Sequence, residues 1–286
     1  MTFEKQLSKY REIAENTVSN ALYNKDGKIY DAMRYSLLAG GKRVRPVICL
    51  ACADALSGNI DYAAFSGCAV EIIHTYSLIH DDLPCMDDDA LRRGKPTNHM
   101  VFGEATAVLS GDALLNYACE YLLSKDIKPD TKLSLLRLLY SASGADGMIY
   151  GQMLDMEAEV TPADEKGLYL LHQKKTGALI NAAAAMGAVC ANADEGIFDK
   201  YSAALGEAFQ ICDDILDVES NAQIMGKNTG SDEKNHKTTF VTLYGMDGAK
   251  ARLKEETERA VDSLDFLGSA GGFLRDYAFY LLNRKN

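Results

Sequence analysis

Apolar residues recur every three or four positions along almost the whole chain, which is the period of an amphipathic α-helix. Residues 2–23 are typical, with apolar side chains at Phe3, Leu7, Tyr10, Ile13, Ala14, Val18 and Leu22. The same pattern predicts further helices over 29–39, 46–56, 61–81, 104–124, 130–143, 146–159, 163–190, 195–219, 247–264 and 269–283. No segment alternates in the manner of a half-buried strand. We therefore predict an all-α chain.

The predicted helix over 61–81 is apolar on most of its sides, so we expect it at the centre of the fold. Long polar loops are predicted at about 83–97 and 220–238. No linker rich in proline, glycine or serine divides the chain, and 286 residues lie near the upper limit for one hydrophobic core. The sequence therefore predicts a single domain over 1–286, a large helical bundle around the central apolar helices.

Composition narrows the class of protein. Hydrophobic residues make up 47% and charged residues 25%, the balance of a folded globular protein. The net charge of −11 disfavours nucleic acid and anionic lipid as partners. The seven cysteines are scattered, and we expect reduced, buried thiols. With neither a signal or transit peptide nor an apolar run of membrane-spanning length, we expect a cytoplasmic protein without stable membrane insertion.

Two clusters of aspartates interrupt otherwise apolar sequence. The first cluster, in IHDDLPCMDDD, comprises Asp81, Asp82, Asp87, Asp88 and Asp89, and the second, in QICDDILD, comprises Asp213, Asp214 and Asp217. Asp213 and Asp217 share one helix face, where like charges repel unless a cation lies between them. A solvated face or a helix cap is the alternative, but unpaired carboxylates are costly to bury. Since Mg²⁺ combines one or two carboxylates with water or phosphate, the clusters predict several Mg²⁺ ions around a phosphorylated ligand.

Basic residues gather at a few places although the chain is acidic. They are Lys42, Arg43 and Arg45 after the Gly40-Gly41 break, Arg92, Arg93 and Lys95 after the first cluster, Lys174 and Lys175, and Lys227 and Lys237. Arginine beside glycine-rich turns suits bidentate recognition of phosphate. His74 lies seven residues before Asp81, about two turns away on the same helix face. It is a candidate phosphate donor, although a lone histidine is more often a packed core residue.

Several motifs closely resemble those of the trans-prenyl diphosphate synthases and follow the family's order. They are GGKRVRP, LIHDDLPCMDDDALRRGKPTNH, KTGAL, FQICDDILD and GKNTGSDEKNHKTTFV. The resemblance covers nearly the whole chain from about Arg34. It implies the all-helical isoprenoid synthase fold, normally a homodimer. It also implies head-to-tail condensation of isopentenyl diphosphate with an allylic diphosphate.

The resemblance implies roles for individual residues. Ligands of three Mg²⁺ ions match Asp81, Asp82, Asp87, Asp213, Asp214 and Asp217, with Asp81 and Asp87 as the expected direct ligands of the first cluster. Residues that bind the allylic diphosphate or line the cation site match Arg92, Lys175, Thr176, Gln210 and Lys227. Residues of the isopentenyl diphosphate site match Gly41, Lys42, Arg45, His74, Arg93 and Lys237. A local helix hydrogen bond for Thr176 and simple packing for Gln210 are the structural alternatives.

Product length is implied by Tyr76 and Ser77, which lie five and four residues before Asp81, where the family's product tunnel begins. Bacterial farnesyl diphosphate synthases carry an aromatic residue here and the two-residue insertion of DDLPCMD, so we predict a 15-carbon product. Plant-type geranylgeranyl diphosphate synthases share the insertion but usually lack the aromatic residue, and a geranylgeranyl or geranyl product is the alternative. A silent regulatory subunit would lose aspartates from one cluster, whereas both are complete here.

Overall fold

A computed structural model describes residues 1–224 and 238–282. Within these ranges the chain forms thirteen α-helices, with one π turn, two 3₁₀ segments and one small hairpin. The helices are α1 Phe3–Ala21, α2 Lys28–Leu37, α3 Val44–Ala55, α4 Ile60–Asp81, α5 Asn98–Phe102, α6 Glu104–Leu123, α7 Pro129–Ser143, α8 Met148–Val160, α9 Glu165–His172, α10 Ala178–Cys190, α11 Asp199–Ile224, α12 Phe240–Asp262 and α13 Gly272–Leu282. The predicted all-α class is confirmed. Among the described helices, none combines the length and apolarity needed to cross a membrane.

The chain divides into two compact units. Unit 1 comprises Met1–Leu139 and Met186–Ala193, and unit 2 comprises Tyr140–Ala185 and Asp194–Asn286. Each unit has buried apolar side chains of its own. The single domain over 1–286 stays a prediction.

Helix α4 is the central helix of unit 1, as predicted from its apolar sequence. It packs against α1, α3 and α6. A Cβ on Gly67 would lie 2.8 Å from the Cα of Pro46, so the missing side chain lets α3 approach α4 closely. The helix begins where the Asn59 side chain accepts a hydrogen bond from the Tyr62 amide. Its far end carries Asp81, so the first cluster starts on a buried support.

Unit 2 contains the packed pair of helices α11 and α12. Its apolar cluster contains Leu168, Ile211, Ile215, Phe240 and Ala249. The predicted start of α12 at residue 247 was wrong, because the helix begins at Phe240 after a capping box of Thr239 and Thr242. Gly245, with φ +69°, interrupts the regular helix and hides this first turn from the sequence pattern.

Two further predictions about local structure were wrong. The single helix expected over 163–190 is divided into α9, a π turn at Gln173–Gly177 and α10. The loop expected over 83–97 contains a hairpin, in which β1 (Leu91–Arg92) pairs antiparallel with β2 (Lys95–Pro96). Arg93 and Gly94 between these strands have φ of +55° and +73°, the signs that a type I′ turn requires. Strands of two residues are too short to produce an alternating pattern.

All seven cysteines lie among the described residues, and none forms a disulfide. Five are buried, as expected for apolar helices. The expectation was wrong for Cys119, which is half-buried, and for Cys85, which is exposed in the loop of the first cluster. Cys85 follows Pro84 in that turn, outside the helices.

Candidate active site

The first cluster lies at the end of α4, where the chain turns back on itself. The Asp87 amide donates to the Asp81 carbonyl at 2.9 Å, and the Asp88 amide donates to the Leu83 carbonyl at 3.1 Å. The two-residue insertion therefore folds as a compact turn that brings the backbones of Asp81 and Asp87 together. Asp81 is half-buried and Asp87 is exposed, so both carboxylates are accessible to an ion from solvent.

Asp82 differs from its neighbours because it is buried in an ion pair. Its side chain is 5% exposed, and Arg92 Nε donates to its Oδ1 at 2.6 Å. Burial raises the pKa of Asp82, while Arg92 opposes that rise. Arg92 also contacts Asp89 at 3.3 Å. The structure thus joins a predicted metal ligand and a predicted diphosphate-binding arginine directly through a salt bridge.

The hairpin brings Arg93 to the Gly40-Gly41 break. Arg93 Nη1 donates to the Gly40 carbonyl, and a Cβ on Gly41 would lie 2.8 Å from Arg93 Cζ. Gly41 has φ +137°, so both its conformation and its contact with the guanidinium favour glycine. Two residues assigned by resemblance to isopentenyl diphosphate are therefore in contact, although 52 positions separate them in the sequence (93 − 41).

His74 lies on α4 among these bases. Burial, followed by the charges of Arg45 and Arg93, holds the pKa of His74 well below its usual value. A neutral imidazole can donate one N–H to an anion, and the arginines then supply the charge. Lys42 is exposed and Arg45 is half-buried. Arg45 and Arg93 are therefore close enough to His74 in unit 1 for their charges to act on it, and the roles of the three residues stay a prediction.

The two residues expected to set product length are both on α4. Tyr76 is 4% exposed, and its ring lies edge-on to that of His80 with centroids 5.8 Å apart. Ser77 is half-buried, and its hydroxyl donates to the His74 carbonyl at 3.0 Å. Tyr76 is thus packed into the interior of unit 1 below the first cluster, whereas Ser77 bonds its own helix.

In unit 2, the π turn carries both Lys175 and Thr176. Lys175 Nζ donates to Asp155 Oδ2 at 2.5 Å, and Thr176 is 9% exposed. Gly151 on α8 permits this arrangement, because a Cβ there would lie 2.0 Å from the Lys175 amide nitrogen. π turns often occur at functional sites. Asp155 was missed at the sequence level, and the available signal was one acid within the apolar stretch GQMLDM.

The second cluster lies on α11 in unit 2. Asp213 and Asp214 are half-buried and Asp217 is exposed, as is typical of a helix face at the edge of a core. Asp214 Oδ2 accepts a hydrogen bond from the Phe240 amide at 2.8 Å, which ties the cluster to the start of α12. Burial and then the charges of Asp217 and Asp213 raise the pKa of Asp214 to about 7. Gln210, one turn earlier, is half-buried.

The donor set fits Mg²⁺ in its chemistry. Among the described residues, no three carboxylates, thiols or imidazoles converge on one point. Mg²⁺ uses only one or two carboxylates and completes its octahedron with water and phosphate oxygens, so it does not require such a cage. Lys227 and Lys237, expected at the diphosphates, lie outside the described residues.

Comparison with known proteins gives the family. A family model described as polyprenyl synthetase matches residues 26–265. The chain belongs to the polyprenyl synthetase family. This polyprenyl synthetase is 42% identical over 276 residues to the farnesyl diphosphate synthase of Micrococcus luteus, covering 94% of this chain and 95% of that protein. It is 44% identical over 272 residues to the farnesyl diphosphate synthase of Bacillus subtilis, covering 92% and 89%.

Solved structures agree with this family. The crystal structure of an FPP/GFPP synthase from Zymomonas mobilis superposes with a TM-score of 0.88 at 34% identity, covering 98% of this polyprenyl synthetase and 100% of that chain. Relatives of the chain also include geranylgeranyl diphosphate synthases. The resemblance seen in the sequence and the isoprenoid synthase fold that it implies are both confirmed.

Proposed function

We propose that this polyprenyl synthetase makes farnesyl diphosphate, by condensing isopentenyl diphosphate with dimethylallyl diphosphate and then with geranyl diphosphate. One observation carries the proposal: Arg93 contacts Gly41, and its neighbour Arg92 bonds Asp82 of the complete first cluster. The charges of Arg45 and Arg93 also act on His74. Supporting it, three farnesyl diphosphate synthases match 92–96% of the chain at 41–44% identity.

The isopentenyl diphosphate is held by bases without a metal ion. Lys42, Arg45 and Arg93 supply the positive charge, and neutral His74 donates a hydrogen bond. Gly41, in the loop between α2 and α3, leaves room for the Arg93 guanidinium. This set binds the diphosphate of the substrate and leaves its hydrocarbon part free to react.

The allylic diphosphate carries the leaving group. The six aspartates assigned as ligands, Asp81, Asp82, Asp87, Asp213, Asp214 and Asp217, would hold Mg²⁺, three ions in all, which would supply positive charge to the diphosphate as Lewis acids. Arg92 in unit 1 and Lys175 in unit 2, each held in place by a carboxylate, carry fixed positive charge of the kind that stabilises a diphosphate. Oxygens of Thr176 and Gln210 stabilise the positive charge of the allylic cation.

The bonds and protons balance without a side-chain base. The C–O bond to the allylic diphosphate breaks, and the terminal carbon of isopentenyl diphosphate forms a new C–C bond to the cation. This leaves the positive charge on the methyl-bearing carbon of the former double bond. A proton then leaves the CH2 group next to that carbon on the diphosphate side, a new double bond forms, and the released diphosphate takes the proton. The side chains of the site therefore act on binding, orientation and charge.

We further propose a homodimer that works in the cytoplasm.

The decisive experiment is incubation of the purified chain with isopentenyl diphosphate, each allylic diphosphate in turn, and Mg²⁺. We expect farnesol to be the main product after dephosphorylation and chromatography, and no product when EDTA removes the metal. A main peak of geranylgeraniol or geraniol would overturn the 15-carbon product. No product from any allylic partner would overturn the enzymatic function itself.

A geranylgeranyl product is the second candidate. Relatives of the chain include geranylgeranyl diphosphate synthases, and the local sequence LPCMD is shared with plant-type members. The buried ring of Tyr76 favours the shorter product, because it fills space that a growing chain would need. The same chromatography distinguishes the two.

A further inference from the structure

Arg43 has a different role from the bases on either side of it. It lies between Lys42 and Arg45 in GGKRVRP, yet its side chain is only 2% exposed. Its Nε and Nη2 donate to the two carboxylate oxygens of Glu15 at 2.9 and 3.2 Å, and its Nη1 donates to Glu71 Oε1 at 2.8 Å. Because the guanidinium is buried and bonded to these carboxylates, Arg43 does not present its charge to a ligand.

These bonds join several elements at one guanidinium. Glu15 is on α1 and Glu71 is on α4, and Arg43 Nη2 also donates to the carbonyl of Leu37 at the end of α2 at 3.0 Å. Arg43 itself has φ +49° at the start of α3, an uncommon conformation for a residue with a side chain. The ion pairs therefore fix the loop between α2 and α3 in a conformation that it would not adopt readily alone.

Arg43, Glu15 and Glu71 also act through their charges on residues of the proposed isopentenyl diphosphate site. Glu15 and Glu71 together carry two negative charges and Arg43 carries one positive charge, so the three side chains are net negative, with Arg43 and Glu71 buried and Glu15 half-exposed. Glu71 lies three residues before His74 on α4, on the same helix face. Glu71 and Glu15 favour the charged form of Arg93, whose pKa is lowered chiefly by burial.

We propose that Arg43, Glu71 and Glu15 are positioning residues for the diphosphate of isopentenyl diphosphate. By pinning the α2–α3 loop to α1 and α4, they hold Lys42 and Arg45 at a fixed distance from His74. The inference rests on the proposed function, because it deepens the isopentenyl diphosphate site of that reaction. It assigns to one arginine of the motif a task that differs from phosphate binding.

The test compares Arg43→Lys and Glu15→Gln with wild type. Lysine keeps the charge but cannot span two carboxylates, and Glu15 is 44% exposed, so the second variant removes one contact without leaving a buried charge unpaired. We expect the KM for isopentenyl diphosphate to rise roughly ten-fold in Arg43→Lys and two- to three-fold in Glu15→Gln. The KM for geranyl diphosphate should change by less than about two-fold, because the side chain of its proposed ligand Arg92 is held by Asp82 and Asp89 and not by Arg43.

The matched control is Arg34→Lys in the same unit. Arg34, on α2, bonds two carbonyls and one carboxylate, whereas Arg43 bonds one carbonyl and two carboxylates, and the partners of Arg34 lie outside the motif. A purely structural arginine should lower Tm when replaced and leave both KM values unchanged. Equal increases in the two KM values, or folded Arg43→Lys and Glu15→Gln variants with an unchanged KM for isopentenyl diphosphate, would overturn the positioning role.

Calorimetric titration with isopentenyl diphosphate alone separates this inference from the proposed function. It needs no turnover, and the Kd should rise in the same order as the KM. A wild type that binds but yields no product would defeat the proposed function, and the Kd values would still decide the positioning role. A wild type that does not bind isopentenyl diphosphate would overturn both.

Discussion

The size of the Tyr76 side chain should decide the length of the product. It is buried on α4, five residues or roughly 7–8 Å along the helix axis from Asp81. Replacing it with alanine opens space below the first cluster, so Tyr76→Ala should shift the main product from 15 to 20 or more carbons. Chromatography of the dephosphorylated products measures the shift. The control is Tyr62→Ala in the first turn of the same helix, which should keep farnesol, and an unchanged farnesol peak in Tyr76→Ala would contradict the prediction.

Asp81 and Asp88 belong to one cluster, but only the loss of charge at Asp81 should lower activity strongly. Asp81 ends α4 and its backbone contacts that of Asp87, whereas exposed Asp88 is assigned no ligand role. Asp81→Asn should lower turnover by roughly 100-fold or more, because charge stabilisation of the leaving group is lost. Asp88→Asn should keep most activity, since asparagine accepts the positive φ of +52° at this position. Steady-state rates at saturating Mg²⁺ decide, with circular dichroism to check folding, and equal rates would remove the metal assignment.

The sequence identifies charged residues more readily than it identifies their partners. Aspartates within an apolar stretch are visible in the sequence because burying them unpaired would be costly. The sequence also grouped Arg43 with the phosphate-binding bases, but the structure buries it between Glu15 and Glu71. Each partner lies 28 positions away in the chain, and only folding brings the three together. Burial of a particular base is therefore beyond what periodicity can predict.

The π turn depends on a glycine of the neighbouring helix. Gly151 on α8 faces the Lys175 backbone, and an added Cβ would lie 2.0 Å from its amide nitrogen. Gly151→Ala should therefore displace the turn, lower the free energy of unfolding by about 1–3 kcal/mol and reduce activity through Lys175. Gly272→Ala at the start of α13 is the control, because a Cβ there meets nothing within 4 Å. Thermal unfolding and turnover test both variants, and wild-type behaviour of Gly151→Ala would refute the close packing.

The contact between α11 and α12 should make stability depend on pH. Burial and then the charge of Glu256 raise the pKa of Glu207 to about 8, with Asp214 adding to the rise and Arg259 and Arg252 opposing it. The unfolded residue titrates near 4.3. Between these values the folded protein keeps a proton that the unfolded chain has released, so the free energy of unfolding falls as pH rises.

Glu207→Gln keeps the shape of the side chain and removes this titration. Its Tm should exceed that of wild type by on the order of 5 °C at pH 8.5 and match it at pH 5. Exposed Glu258 on α12 provides the control, since Glu258→Gln should give no pH-dependent difference. Differential scanning calorimetry at the two pH values measures the effect, and equal Tm values at pH 8.5 would show that Glu207 is not buried as a neutral acid.

Elements with long, regular apolar stripes were predicted well, and those set by local backbone geometry were not. Helix α4 was placed to within one residue at its start, because a long apolar segment permits little else. The first turn of α12 was missed since Gly245 breaks its period, and the π turn was missed because one extra residue hardly shifts a helical pattern. The hairpin at Arg93 was missed because it depends on a positive φ at that residue, and its two-residue strands show no alternation of apolar and polar positions.

At the scale of the whole molecule, the charge of −11 and the anionic substrates are compatible. Eight acids lie in the two aspartate clusters, where bound cations would offset their charge. Bases are concentrated at a few positions, and two of them, Arg92 and Lys175, are already paired with carboxylates. Local arrangement therefore decides which anions bind. The overall charge still disfavours long polyanions such as nucleic acid, which need an extended basic surface.

The purified chain should catalyse the reaction without any other protein. Both aspartate clusters are complete, so the purified chain alone should turn over its substrates, whereas a silent regulatory subunit would need an active partner.

Exposed apolar side chains on α6, such as Leu109 at 58% and Leu123 at 54%, provide area that a second copy could cover. Light scattering after size exclusion should therefore give about twice 31.2 kDa, with turnover in the same fractions. Asp213→Asn should keep that mass and lose turnover, which separates assembly from chemistry. Full activity at a mass of 31.2 kDa would refute the dimer, and activity only after adding another subunit would refute independent catalysis.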